Sequence, residues 1–300
     1  MLGSTTLFLA GSAAVLLIAR YATHRELPRP PLTADSEKGF ASLVGPDQTL
    51  PAMSQPHSVL MDQFIVFGDS ITQGSWIPRG TGAALSHVYQ RKLDVMNRGF
   101  SGYNTEMGLQ VLKQFLPRRD ERLPKIALFA VWYGANDAAV PPSPQAITLE
   151  QFKANLNKIL DMLRRPDSAY YSPETQLLLI TPPPVDSSVR NRDLAERDPP
   201  RQPDRDSERT RQFAEAVKEV AVASKLPVLD AWSLIDAAAA RDGGLGKYLN
   251  DGLHLTPAGY QVVTDGLFKL IETELPRLHW SNLEQVFPHW TEFIPESMRT

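Results

Sequence analysis

Gly68-Asp69-Ser70 closes the apolar run Phe64-Ile65-Val66-Phe67, and far along the chain Asp251 and His254 stand three positions apart. A serine hydroxyl is a poor nucleophile near neutral pH and needs an imidazole to take its proton. The imidazole in turn needs a carboxylate to fix its tautomer and to stabilise the imidazolium. Ser70, His254 and Asp251 supply these groups, and the chemistry they would perform together is acyl transfer through a covalent serine intermediate. Taken singly, each piece has a plainer reading. Gly-Asp-Ser after a strand makes a turn and caps the following helix, and Asp-x-x-His occurs in solvated loops.

The elements that must position these residues are legible as an alternation. Short apolar runs at Phe64–Phe67, Asp94–Asn97, Ile126–Trp132, Gln176–Ile180 and Pro227–Leu229 mix little with polar residues, as strands buried on both faces do. Helix-length segments fall between and after them, at Ala84–Lys92, Thr105–Phe115, Leu149–Leu163, Glu208–Lys225 and Thr256–Leu275. Thr256 is a natural N-cap with Pro257 at the first helical position. The alternation predicts a five-stranded parallel sheet with helices on both faces, and one compact domain over residues 61–300 accounts for it. In such sheets ligands gather at the carboxyl ends of the strands. There lie Gly68-Asp69-Ser70, then Arg98-Gly99-Phe100-Ser101-Gly102-Tyr103-Asn104, then Gly134-Ala135-Asn136-Asp137, with Asp251 and His254 just before the last helix.

Acyl transfer also needs donors aimed at the oxyanion of the tetrahedral intermediate. The Ser70 N–H, the Gly102 N–H and the Asn136 side-chain amide are the candidates, each from a different loop. Asp69 and Asp137 read as structural, making turn and cap hydrogen bonds. Trp76 and the Tyr103 loop are candidate walls of an acyl pocket.

The four blocks, Gly-Asp-Ser, the glycine of Phe-Ser-Gly-Tyr, Gly-x-Asn-Asp and Asp-x-x-His, resemble in order and spacing those of the SGNH hydrolases, also called the GDSL esterase/lipase family. The likeness runs from about Phe64 to Leu275. Phe67-Gly-Asp-Ser-Ile-Thr72, Arg98-Gly-Phe-Ser-Gly-Tyr103, Gly134-Ala-Asn-Asp-Ala138 and Asp251-Gly-Leu-His-Leu255 look most like the isoamyl acetate-hydrolysing esterases within it. The resemblance implies a three-layer, flavodoxin-like α/β/α sandwich, no metal and no cofactor. It also implies Ser70 as nucleophile, His254 as general base, Asp251 as its orienting acid, and Ser70, Gly102 and Asn136 as the oxyanion hole. The substrate it implies is a small carboxylic ester, an acetate above all. The competing readings are a lysophospholipase or other lipid deacylase on a membrane anchor, and a catalytically silent binding module on the same fold. The presence of Ser70, Asp251 and His254 together speaks against the silent module.

Composition narrows the field further. A net charge of −3 and a pI near 6.1 give no basic surplus for a phosphate backbone, so nucleic acid is not an expected partner. There is no cysteine, which removes thiolate nucleophiles, disulfides and Cys-ligated metals. His24, His57, His87, His279 and His289 have no metal-ligand spacing. No Gly-x-Ser-x-Gly elbow occurs, so the α/β-hydrolase arrangement does not apply.

Four segments lie outside the alternating plan. Residues 1–19 are uncharged from Leu2 to Ala19 and strongly apolar, long enough for a membrane helix, with Arg20, Arg25 and Arg29 following. The positive-inside rule then puts the folded part on the cytoplasmic side of an anchor; mitochondrial or secretory targeting is the alternative. Residues 20–60 are a proline-rich linker. Ser187–Ser207 mixes arginines and acids with no apolar period and reads as a solvated loop. In the tail 276–300, Trp280, Phe287, Trp290 and Phe293 are expected to pack back onto the domain.

Overall fold

The computed structural model of the chain describes residues 59–294 and 296–298. These belong to the unit Val59–Thr300. The expected anchor at Leu2–Ala19 and nearly all of the linker lie outside them. Among the described residues no helix is long and apolar enough to cross a membrane.

Five strands form the central sheet: β1 (Gln63–Gly68), β2 (Asp94–Gly99), β3 (Ile126–Trp132), β4 (Gln176–Ile180) and β5 (Val228–Leu229). Every pairing is parallel and the order is β2-β1-β3-β4-β5. Side chains alternate across a strand, so each apolar run serves two cores. Phe64, Val66, Leu128, Ala130, Trp132, Leu178 and Ile180 point to one face, while Ile65, Phe67, Phe129, Val131, Leu177 and Leu179 point to the other. On the first face pack α2 (Thr81–Val88), α7 (Ala231–Asp242) and α8 (Pro257–Glu274). On the second pack α3 (Thr105–Phe115), α4 (Leu149–Arg164) and α6 (Ser207–Ser224). This is the expected three-layer α/β/α sandwich. Phe67 sits fully buried among Phe115, Phe129 and Tyr133, with centroid distances of 4.9–5.8 Å. Its truncation to alanine is expected to cost about 3–5 kcal/mol.

The strand order reverses direction between β1 and β3, so the carboxyl end of β1 opens at the switch point where α/β sheets bind ligands. There the chain enters a four-residue helix, α1 (Ser70–Gln73), capped by the Asp69 side chain accepting from the Ile71 N–H at 2.9 Å. At the other end of the chain, Thr256 accepts from the Gly259 N–H and Pro257 occupies the first turn of α8, as the sequence predicts.

Two expectations need correction. The charged segment is not a solvated loop. It contains α5 (Ser187–Ala195), capped by Asp186, and two of its arginines, Arg190 and Arg205, are only 5% and 4% exposed. Composition hid this because the segment has no apolar stripe; what buries it is ion pairing. Of the four tail rings, only Trp280 returns to the core, against Phe268 and Tyr89 and stacked on His279. Phe287, Trp290 and Phe293 are 44%, 64% and 61% exposed. Part of the tail is instead held through its backbone: Arg91 donates to the Phe287 and Pro288 carbonyls at 2.9 and 2.7 Å, and the Val286 N–H donates to the Arg91 carbonyl at 2.8 Å. Main-chain bonds of this kind leave the rings free to face solvent.

The helices α1, α5 and α7 are absent from the sequence-based expectation. α7 had a usable signal, Asp230 accepting from the Ser233 N–H ahead of an alanine-rich run that Gly243 ends.

Candidate active site

Ser70 opens α1, which fixes its Oγ at the carboxyl edge of β1. A short loop before α8 delivers its partners. The loop is closed by a bridge between Leu249 and Leu255 and by the Asn250 N–H donating to the His254 carbonyl at 2.8 Å. Within it, Asp251 Oδ1 accepts from the Leu253 and His254 N–H groups at 3.1 and 2.9 Å. The three-residue spacing thus lets one carboxylate cap its own turn and still reach the ring. Ser70 Oγ lies 2.9 Å from His254 Nε2, and His254 Nδ1 lies 2.9 Å from Asp251 Oδ2. An ionised carboxylate only accepts, so Nδ1 carries the proton and Nε2 presents a lone pair to the serine hydroxyl. That is the tautomer a general base requires.

Partial burial works to raise the Asp251 pKa, but the His254 ring and the two backbone N–H groups outweigh it and hold the carboxyl well below the usual range. Asp251 therefore stays ionised wherever the imidazole is neutral. Its Oδ2 also accepts from Arg190 Nη1 at 2.9 Å. Gly252 brings this about: with φ of +79° its bare Cα lies against α5, where a Cβ would come within 2.5 Å of the Asp186 carbonyl and 2.6 Å of the Arg190 nitrogen.

Gly102 and Asn136 form a second group, linked through Gln145 and Arg205. Gly102 takes φ of +82°, and its carbonyl accepts from Gln145 Nε2 at 2.7 Å. Asn136 is buried in the turn after β3; its Nδ2 donates to the Tyr103 carbonyl at 2.9 Å and its Oδ1 accepts from Arg205 Nη2 at 2.7 Å. An amide nitrogen has two N–H groups, so one is left for a ligand. The Ser70 N–H, at the start of α1, has no acceptor within its own helix. Two of the three oxyanion candidates, Ser70 and Asn136, therefore have donors to give, and the link from Asn136 to Asp251 runs through arginines.

Those arginines are the residues sequence reasoning missed. Arg190 grips Asp204 with a two-pronged bond, Nε to Oδ1 and Nη2 to Oδ2, each 3.0 Å. Arg205 Nη1 contacts Asp204 Oδ2 at 3.1 Å and its Nη2 reaches Gln145 Oε1 at 3.2 Å as well as Asn136. Burial works to raise the Asp204 pKa, but the Arg190 hydrogen bond and the neighbouring arginines outweigh it and pull it down. Two cations and two anions balance, which is the condition for hiding such groups from water. No local spacing could reveal the set, because the pairs span 14, 61 and 69 residues.

The remaining acids of the motifs behave differently. Asp69 caps α1, and Asp137 Oδ1 accepts from the Thr105 N–H and hydroxyl at 2.8 and 2.5 Å. Trp76, a candidate pocket wall, packs against Gly82 and the first core instead. Among the described residues there is no group of three or more His, Cys, Asp or Glu able to hold a metal ion.

Comparison with known proteins bears on the family and the fold. The GDSL-like Lipase/Acylhydrolase family model matches residues 66–262. An isoamyl acetate-hydrolyzing esterase 1 homolog of Bos taurus is 34% identical over 244 residues, covering 80% of this chain and 92% of its own length. A GDSL esterase/lipase of Arabidopsis thaliana is 33% identical, covering 76% and 91%. Among solved structures, a lipase/acylhydrolase from Enterococcus faecalis superposes with a TM-score of 0.54 at 24% identity, over 76% of this chain and all of that one. An acetylxylan esterase from Geobacillus stearothermophilus superposes with a TM-score of 0.51 at 17% identity, over 73% and 98%; at these identities the two structures speak to the fold. The chain belongs to the GDSL-like lipase/acylhydrolase family and is a carboxylic ester hydrolase.

Proposed function

We propose that the chain hydrolyses short-chain carboxylic esters, acetates in particular, through an acyl-enzyme on Ser70. The observation that carries this is the hydrogen-bonded run from Ser70 Oγ to His254 Nε2 and from His254 Nδ1 to Asp251 Oδ2, 2.9 Å at each step. Ser70 Oγ attacks the ester carbonyl carbon while His254 Nε2 takes the hydroxyl proton. The oxyanion that forms is received by the Ser70 N–H, the Gly102 N–H and the free N–H of Asn136. Collapse breaks the bond to the alkoxy oxygen, which leaves as the alcohol with the proton from His254. Water then repeats the sequence against the acyl-enzyme and releases the acid. Asp251 remains an anion throughout and stabilises the imidazolium.

The preference for acetate is supported by relatives named for isoamyl acetate hydrolysis, those of Bos taurus and Saccharomyces cerevisiae among them. It is tested by initial rates of the full chain on p-nitrophenyl acetate, octanoate and palmitate. We expect kcat/KM to fall with chain length; a maximum at palmitate would replace this reading with the lipid-deacylase one. Membrane attachment through Leu2–Ala19 rests on sequence alone. Carbonate extraction of the tagged full chain tests it, with retention in the pellet expected and release to the supernatant contradicting it.

A further inference from the structure

Asp204 touches neither Ser70 nor His254 in the bonding described above, yet both functional halves of the site meet at its carboxylate. On one side Arg190 binds it through Nε and Nη2 and extends Nη1 to Asp251 Oδ2. On the other, Arg205 binds it through Nη1 and extends Nη2 to Asn136 Oδ1. We propose that Asp204 is a positioning residue that couples the acid of the triad to the amide of the oxyanion hole, by holding Arg190 and Arg205 in one fixed arrangement. The inference rests on the acyl-enzyme reading.

Two physical arguments carry it. The first concerns the Asn136 amide, whose oxygen and nitrogen must not exchange places. With Oδ1 on the Arg205 guanidinium and Nδ2 on the Tyr103 carbonyl, a flip would set N–H against N–H at one end and oxygen against oxygen at the other. Arg205 therefore selects the orientation that presents an N–H to the oxyanion, and its charge polarises that donor further. The second concerns the guanidinium groups. Arginine is a planar fork, so seating one edge on a carboxylate fixes where the other edge points. Asp204 takes the Nε/Nη2 edge of Arg190 and the Nη1 of Arg205, whose other arm, Nη2, is on Asn136, so a displacement at either end is transmitted to the other. Positional errors of about 1 Å at a reacting group cost on the order of 10²-fold in rate, so such coupling has consequences for kcat.

A salt bridge that only ties α5 to the domain would stabilise the fold without this effect, and a cycle with Asn136 separates the two. The full chain is assayed on p-nitrophenyl acetate as wild type, Asp204→Asn, Arg205→Lys, Asn136→Ala and Asn136→Ala/Arg205→Lys, with thermal melts of each. Asp204→Asn is expected to lower kcat about 10- to 100-fold with KM within about threefold. Arg205→Lys keeps the charge beside Asp204 but loses the fork. It is expected to lower kcat at least about tenfold in wild type and less than about twofold once Asn136 is alanine, because its action runs through that amide. If Asp204→Asn loses its cooperative melt, the Arg205→Lys cycle decides alone. The proposal is overturned if folded Asp204→Asn keeps kcat within about twofold of wild type, or if Arg205→Lys costs the same factor in both backgrounds. A wild type that neither turns over ester nor reacts with a fluorophosphonate at Ser70 would defeat the acyl-enzyme reading itself, a different result from an active wild type with indifferent variants.

Discussion

Two pairs of carboxylates lie close to one active site and are pushed in opposite directions. Asp69 and Asp137, in the turns after β1 and β3, are fully buried and meet mainly backbone and hydroxyl donors. Burial drives Asp69 up to about 7 and Asp137 up to about 6, against the hydrogen bonds of Ile71 and Thr105. Asp137 Oδ2 is buried with no hydrogen-bond partner, the place a proton would occupy. Asp204 and Asp251, on the side built by the charged segment, keep more exposure and are gripped by Arg190. Both are pulled down. The difference teaches that the fold assigns charge by partner rather than by depth alone: the Arg190 bond at Asp204, and the His254 ring with two backbone N–H groups at Asp251, keep those carboxyls ionised, whereas Asp69 and Asp137, buried among neutral donors, drift toward the neutral form and serve as caps.

The sharpest way to break this contrast is to remove the charge that the arginine side maintains. Asp251→Asn leaves the shape of the loop but inverts the hydrogen bond that sets the His254 tautomer, and kcat should fall by about 10⁴. Steady-state rates on p-nitrophenyl acetate check it; a loss below tenfold would mean that another group orients the imidazole. Next in size is Asn136→Ala, expected to lower kcat by about 10²–10³ if its free N–H meets the oxyanion. A change of less than about threefold would take Asn136 out of the hole.

The neutral-donor side is tested through stability. A carboxyl raised on folding contributes stability that is present below its unfolded value of 3.8 and lost as pH rises through its folded value, about 7 for Asp69. Asp251 and Asp204, being lowered, act the other way, with stability present above 3.8 and lost as pH falls through their folded values. The wild-type Tm should therefore decline from pH 4.5 to pH 7.5, as Asp69 and Asp137 are forced to ionise beside one another. In Asp69→Asn, whose amide oxygen can still cap α1, that decline should flatten. An unchanged slope in the variant would remove Asp69 as its source. The smallest effect belongs to Arg211→Ala. Its 2.7 Å pair with Glu208 is exposed, so the thermal melt should be unchanged and kcat should change by less than about twofold. A loss like those expected at Arg205 would show that charge density near the start of α6 matters, rather than the particular bridge.

The same contrast explains what could be read from the sequence. β1, β3 and β4 are apolar runs that serve cores on both faces, and their bounds follow from composition to within a residue or so. Ser70, Gly102, Asn136, Asp251 and His254 stand at strand ends or beside a capped helix, where motif spacing has local meaning. The arginine side has no such grammar. Arg190 and Arg205 look solvated because their partners, Asp251 and Asn136, lie 61 and 69 residues away. The exposed tail rings failed for the converse reason: Phe287, Trp290 and Phe293 are the residues that should seek a core, and bonds from the Arg91 guanidinium to the Phe287 and Pro288 carbonyls hold part of that segment without them.

The chemistry proposed for this site depends on Ser70 Oγ being the nucleophile. The direct measurement is reaction of the full chain with a fluorophosphonate, followed by peptide mass spectrometry, alongside hydrolysis of p-nitrophenyl acetate by wild type and Ser70→Ala. The account predicts one phosphonylated site, at Ser70, and loss of both labelling and turnover in the variant. Modification at another residue, or hydrolysis by Ser70→Ala at the wild-type rate, would contradict it.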